Sequence, residues 1–503
     1  MRLKRLVCLI LALSVCCGLA AAEETEKTPD FVMAGFDDTQ YRDWVNNQFF
    51  MRMEEWTGVT FGYRQYRKLS EWTQAKAEMT AGGDMPDVLF KAALTAGEAI
   101  EMREKGVLID LLPYLEEHAP HLWAILQENP DYLQAITLPD GSVAALPYIT
   151  TLPVQNYMWI NTAWLNTLHL DEPTNAEELV KVLTAFLEKD PNRNGRSDEI
   201  PLGFLGPFDL KFLAHAFGLT ANDYNVFAQD GQAKFMPLEE NYRLFVTWCR
   251  DLFQAKLLDQ NGFVTNNSLR TVTDANAKAT YGMIITPVAA DIFRVEWGQQ
   301  DYNILLPLTY EGEQIYRSFA GPLLRGAFAV TSHCAEPEKL VEWVDRLYTE
   351  EGAILASIGK ENVDYVIDGD GTWRMTESAR SASSYYSAYT LIDGGGTYPG
   401  ILADEFQRRY GDSQILSAVL ARQDQMKDVA KLPFPYYSLT GSEQEKIDAL
   451  QQQIGYYVDM QLARWVLGEE EISDAAFEAF ETHLNELGLQ DFMAFWQEVL
   501  DRQ

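Results

Sequence analysis

The sequence predicts an α/β fold of two lobes with a helix-rich C-terminal part. Three observations lead there. A chain of 503 residues, 47% hydrophobic and 12% aromatic, exceeds what one hydrophobic core usually supports. Short apolar runs alternate with helical patterns, as in a parallel sheet covered by helices. From Ile447 onward the apolar residues recur at helical spacing alone.

Taken in order, Arg2, Lys4 and Arg5 precede an apolar run from Leu6 to Leu19, and this reads as an export signal over residues 1–22. It is too short and wrongly flanked for a membrane span, and no later stretch offers about 18 consecutive apolar residues. Two endings are open. Ala20-Ala21-Ala22 makes a small-residue cleavage site before Glu23, while Leu13-Ser14-Val15-Cys16 is similar to a lipoprotein box that would anchor the chain through Cys16 or Cys17. Residues 23–30 form a polar tether.

Phe31–Phe36, 59–63 and 87–90 read as strands, with the turn cluster Gly82-Gly83-Asp84-Met85-Pro86-Asp87 stopping a helix near Met79. A second region opens at Tyr157–Asn161. Thr174 and Glu177 form a capping box for a helix carrying Leu179, Leu183, Phe186 and Leu187, which stops at Asp190-Pro191. Residues 281–286 and 327–331 read as strands, and Pro337 opens a helix with Leu340, Val341, Val344 and Leu347 on one face. A long helical stripe from Ile447 to Trp465 is broken only by Gln461. Ser473 caps the next helix, and Gly488 separates it from the last. Residues 31–150 with 283–335 are expected in one lobe, and 151–282 with 336–503 in the other.

The formal charge is −34, with acids scattered along the chain, a field that repels nucleic acid and anionic membrane surfaces. Beyond the signal only Cys249 and Cys334 remain, read as buried free thiols. The sequence contains no nucleophile elbow, zinc-protease motif, phosphate loop or dinucleotide fingerprint. His118 and His121 flank Pro120 without a third ligand nearby and read as packing residues. A non-enzyme is expected, although a pair of acids suited to glycoside hydrolysis has no signature in a single sequence.

The most specific local signal runs from Asp190 to Glu199. Asp190, Asn192, Asn194, Asp198 and Glu199 stand at positions one, three, five, nine and ten, with Gly195 at six and the Arg196 carbonyl at seven. This is the spacing of a calcium loop of EF-hand type, because alternate residues of a tight turn can point their oxygens at one hard cation. Pro201 stands at position twelve, so Asp198 and Glu199 must close the site. The expectation is a structural Ca2+ rather than a calcium sensor; a plain Asn/Asp/Gly turn is the competing reading.

Aromatic rings outside helical stripes suit the C–H face of a sugar. By that rule the candidates are Phe36, Tyr148, Trp159, Trp373, Tyr385, Tyr386 and Tyr437. Each is as readily explained by packing.

In order, Gly82-Gly-Asp-Met-Pro-Asp87, Gly106–Asp110 with Leu111-Leu-Pro-Tyr114, Asp140-Gly141 leading to Leu146-Pro147-Tyr148, Trp159-Ile-Asn161 with Trp164-Leu165, the 190–201 loop, His333-Cys334 and Tyr348-Thr-Glu-Glu-Gly352 make a connected pattern. In this order the chain resembles the extracellular solute-binding proteins of bacterial ABC sugar importers, especially the large lipoprotein branch of alginate- and aldouronate-oligosaccharide binders. The resemblance implies a periplasmic-binding-protein-like fold with a hinge and a central cleft that closes on ligand. It implies a structural calcium at Asp190, a carbohydrate ligand, membrane permease subunits as partners and a monomeric receptor. Relatives usually carry Arg and then an acid where this chain has Asn161-Thr162, which softens any preference for acidic sugars. The alternatives are a receptor for a peptide or another small solute and a secreted polysaccharide hydrolase.

Overall fold

The computed structural model of the chain describes residues 28–38, 43–150, 154, 156–264, 279–286, 301–318, 323–381, 388–392, 396–410 and 415–502. Two sheets dominate. Their strands, in chain order, are β1 (Phe31–Phe36), β2 (Phe61–Tyr66), β3 (Val88–Phe90), β4 (Leu146–Ile149), β5 (Tyr157–Asn161), β6 (Ile200–Gly203), β7 (Tyr281–Thr286), β8 (Tyr302–Ile304), β9 (Leu323–Val330) and β10 (Gly400–Ile401). The first sheet is six-stranded, ordered β10-β4-β9-β3-β1-β2, and the second is four-stranded, ordered β8-β5-β7-β6.

Helices cover both faces of the first sheet, so β1 alternates between two apolar clusters rather than between core and water. Met33 joins Phe50, Phe90 and Trp343 on one face; Ala34 joins Trp72 and Met102 on the other. The β1–β3 pair closes on Gly35, where a Cβ would fall 1.6 Å from the carbonyl oxygen of Phe90. The second sheet has its own core, from Trp159 and Phe186 to Trp465 and Trp496 of the late helices.

The helix Ala176–Glu188 buries Leu179, Val182, Leu183 and Phe186, as its spacing requires. Its cap lies one residue later than expected. Asn175 accepts from the Glu178 N–H at 3.0 Å, while Thr174 donates through N–H and hydroxyl to the Glu178 carboxylate. Pro337, Ser473 and Gly488 stand at helix starts as read from sequence. No described helix is long and apolar enough to cross a membrane.

The expected exchange points at 283 and 336 are both displaced. β7 pairs with β5 and β6, and β8 with β5, so the chain stays with the second sheet well past 283. It returns only at β9. The helix Pro337–Asp345 then remains with the first sheet, burying Leu340, Val341 and Trp343 beside Leu115 and Leu122. Asp345 accepts from the Leu122 N–H at 2.9 Å and contacts His121 Nδ1 at 2.6 Å, and Glu342 contacts His118 Nδ1 at 2.8 Å. These histidines join helices, as their sequence context suggests. The chain leaves the first core after Phe406 and ends in the second, where Val419 and the long helix Gly441–Leu467 pack.

Cys249 is fully buried, but Cys334 is only half-buried, and its burial pushes the thiol up to about 11.

Candidate functional site

Strand directions locate the cleft. β1, β2, β3 and β4 run the same way, so their carboxyl ends share one edge of the first sheet, where β9 begins. In the second sheet β6 and β7 end at the edge where β5 begins. β4 of the first sheet ends at Ile149, and β5 of the second begins at Tyr157 as the next strand in the chain. The two edges therefore meet at the crossing, the position where open α/β sheets bind ligands.

Buried polar groups mark the edge of the first sheet. Asp37 and Lys91, each directly after a strand, are 4% and 0% exposed. Lys91 Nζ donates to Asp37 Oδ2 at 2.9 Å and to the Leu391 carbonyl at 3.3 Å; Trp44 Nε1 donates to the same Asp37 oxygen at 3.0 Å. Asn47 Nδ2 reaches the Thr390 carbonyl at 3.0 Å. A buried ion pair is costly unless hydrogen bonds surround it, and here they do. Across the crossing, Asn156 and Thr286 are buried at the second edge, and Tyr316 donates its hydroxyl proton to the Asn156 carbonyl at 3.0 Å.

The aromatic candidates are dispersed. Phe36 is the last residue of β1 and is buried beneath the edge. Tyr148, near the end of β4, is half-buried 5.0 Å from the Tyr398 ring, and burial raises its hydroxyl pKa. Trp159 lies inside the second core, its indole N–H donating to the Thr286 carbonyl at 3.1 Å. Trp373 belongs to a satellite cluster with Tyr365 and Phe406. Tyr437 packs edge-on against Trp496 at 5.1 Å and lines a groove with Gln134 and Arg502. Tyr385 and Tyr386 lie outside the described residues. Asn161 is wholly buried and caps the helix Thr162–Leu168 by accepting from the Trp164 N–H.

Sequence reasoning passed over Asp37, Lys91 and Asn156. The available signal was a charged residue immediately after the apolar run of a parallel strand, in Phe36-Asp37 and Phe90-Lys91.

The 190–199 loop folds around its own acceptors. Asp190 accepts from the Asn194 and Gly195 N–H groups at 3.1 Å each, and Asn194 Oδ1 from the Arg196 N–H at 2.8 Å. Asn194 Nδ2 donates to both Asp198 oxygens, at 2.9 and 3.1 Å. Gly195 takes a φ of 74°, as a tight turn demands. Glu199 is 7% exposed, and its Oε1 has no hydrogen-bond partner. Burial, then the neighbouring Asp190 and Asp198 carboxylates, raise its pKa. The unpaired Oε1, in the field of Asp190 and Asp198, is the one feature of the loop that fits a cation. Among the described residues no three His, Cys, Asp or Glu side chains converge as a ready metal group. Amide and backbone oxygens would have to complete the shell.

No protein-family model matches the chain. It is 27% identical over 482 residues to the fructooligosaccharide ABC transporter substrate-binding protein FusA of Streptococcus pneumoniae, covering 90% of this chain and 86% of the relative. The FusA structure with kestose superposes with a TM-score of 0.67 at 23% identity, over 94% of this chain and 99% of FusA. An EF-hand mutant of FusA with fructo-nystose scores 0.66 at 23% identity, over 94% and 99%. An HMO-binding, ABC-transporter-associated solute-binding protein from Bifidobacterium longum infantis scores 0.74 at 20% identity, over 95% and 99%. The alginate-binding protein AlgQ2 without calcium ion scores 0.65 at 20% identity, over 94% and 97%. In its two-lobed α/β fold and over 90% of its length, the chain is similar to the solute-binding proteins of bacterial ABC sugar importers.

Proposed function

We propose that this chain captures an oligosaccharide outside the cell, in the cleft between the two sheets, and delivers it unchanged to the permease subunits of an ABC importer. The observation that carries this reading is the match to a fructooligosaccharide-binding protein over 90% of the chain. Kestose and nystose are accordingly the first ligands to try. Closure of the lobes on ligand makes the closed form the one that the permease meets. The receptor acts as a monomer without catalysis, tethered through Cys16 or Cys17 or released after Ala22; those residues lie outside the described ones. Residues 31–150 with 323–406 form one lobe in this reading, and 156–318 with 415–502 the other. Phe36, Tyr148, Trp159, Trp373, Tyr385, Tyr386 and Tyr437 remain the ring candidates, with Phe36 and Tyr148 favoured by their place at the first edge.

The 190–199 loop holds a structural Ca2+ in this reading, through Asp190, Asn192, Asn194, the Arg196 carbonyl, Asp198 and Glu199. The orphaned Oε1 of Glu199 supports it. Bound calcium would neutralise the clustered carboxylates and fix the loop that leads into β6.

Calorimetric titration of the mature chain with kestose, nystose, alginate oligosaccharides and a short peptide, in calcium, tests the reading. Saturable binding of a sugar that chromatography recovers intact is expected. Recovery in pieces would turn the reading to a hydrolase, and binding of the peptide alone would overturn the ligand class.

A further inference from the structure

Beyond the carboxyl end of β6 the second sheet carries an aromatic ring that the strand pattern does not announce. β6 ends at Gly203, Gly206 turns the chain at a φ of 73°, and the short helix Gly206–Lys211 carries Phe208. Phe208 is 38% exposed, Leu205 beside it 37%, and Val264 77%. The corner is pinned by the Gly206 N–H, which donates to the Gly262 carbonyl at 2.9 Å. Leu205 and Phe208, three residues apart at this corner, both keep more than a third of their surface exposed.

The ring is held. Phe212 meets it edge-on at 5.4 Å, and the Arg317 guanidinium lies over the Phe208 ring at 6.0 Å and the Phe212 ring at 5.5 Å. Arg317 is itself only 12% exposed and pairs with Asp223 at 2.5 Å. The position follows the carboxyl end of β6. Phe212 stands 6.1 Å from Tyr316, whose hydroxyl bonds the Asn156 carbonyl where the first crossing arrives. Tyr316 and Arg317 themselves lead into the second crossing, before β9. A ring that is fixed in place, partly bare and set at the carboxyl edge of a sheet offers a flat apolar surface at little cost in side-chain ordering.

We propose that Phe208 is a specificity-determining contact of the cleft, a platform on which one sugar ring of the bound oligosaccharide stacks through its C–H face. This rests on the oligosaccharide reading above.

Titration of the mature chain with kestose and nystose, comparing wild type with Phe208→Ala, Phe208→Trp and a remote exposed ring, Tyr456→Ala, tests it. Phe208→Ala is expected to weaken binding about tenfold while its unliganded melting temperature stays within about 2 °C of wild type. Phe208→Trp and Tyr456→Ala should bind within about threefold of wild type. If wild type binds and Phe208→Ala binds equally well, the platform is wrong and the receptor reading stands. If wild type binds no oligosaccharide, the receptor reading falls and takes the platform with it. Equal losses in Phe208→Ala and Tyr456→Ala would overturn the platform by showing a non-local effect.

Discussion

His215 is wholly buried beside the Tyr316 ring, with its protonation state written in its partners. Nε2 accepts from the Leu308 N–H at 2.9 Å, so Nδ1 carries the proton and donates to the Phe212 carbonyl at 2.6 Å. Burial lowers its pKa from the ordinary 6.5 to about 4. The unfolded chain takes up a proton near 6.5, whereas the folded chain resists until about 4. This site's contribution is therefore complete above pH 6.5 and is lost as pH falls through that window, by roughly 3 kcal/mol. Urea unfolding at pH 7 and pH 4.5 should show wild type losing more stability than His215→Gln. Equal losses would rule out His215 as a source of acid lability. From sequence the residue was only one of several isolated histidines, because its two partners are backbone groups that leave no side-chain signature.

The tight turn at 190–199 was legible as a turn, since the spacing of Asp, Asn and Gly along it is a local property. Asp190→Ala is nonetheless a poor test of calcium, because it also removes acceptors for two backbone N–H groups. Glu199→Gln is cleaner. Without calcium a buried carboxylate beside two others is a burden, so the neutral amide should match or exceed wild type in melting temperature in excess chelator. With millimolar calcium the order should reverse by about 1–3 kcal/mol, because the metal stabilises only the folded chain that holds its ligand. Glu199→Gln melting below wild type by the same amount in both buffers would dismiss the metal. Helices were similarly legible, apart from the Asn175 cap, where Thr174 and Asn175 are both competent and only the backbone geometry chooses. The aromatic contacts were not legible. Trp159 and Phe208 both sit near a strand in an apolar context, yet one is buried and the other bare, a difference set by the sheet edge rather than by neighbours in sequence.

At the scale of the molecule, two lobes could be read from length and alternation, but not the places where the chain exchanges them. The helix Pro337–Asp345 follows β9 closely and finds its partners more than two hundred residues upstream, at His121 and Leu122. Three passages result, between β4 and β5, between Arg317 and β9, and between Phe406 and Val419. Near the start of β9 the two lobes touch closely. A Cβ on Gly97 would lie 2.9 Å from the Gly441 backbone nitrogen, and Arg325 of β9 donates to the Tyr437 carbonyl at 2.9 Å. With separate cores joined by three passages, the expected motion is a rotation of one lobe against the other. Ligand that contacts both edges should then favour the closed form by its differential affinity. Small-angle scattering should show a smaller radius of gyration with saturating kestose than without it. The melting temperature should rise in the same samples, reflecting about 2.7 kcal/mol of added stability at a hundredfold excess over Kd. A rise in melting temperature at constant radius would mean that ligand meets lobes already closed, and the rotation would have to be abandoned while the binding reading survived.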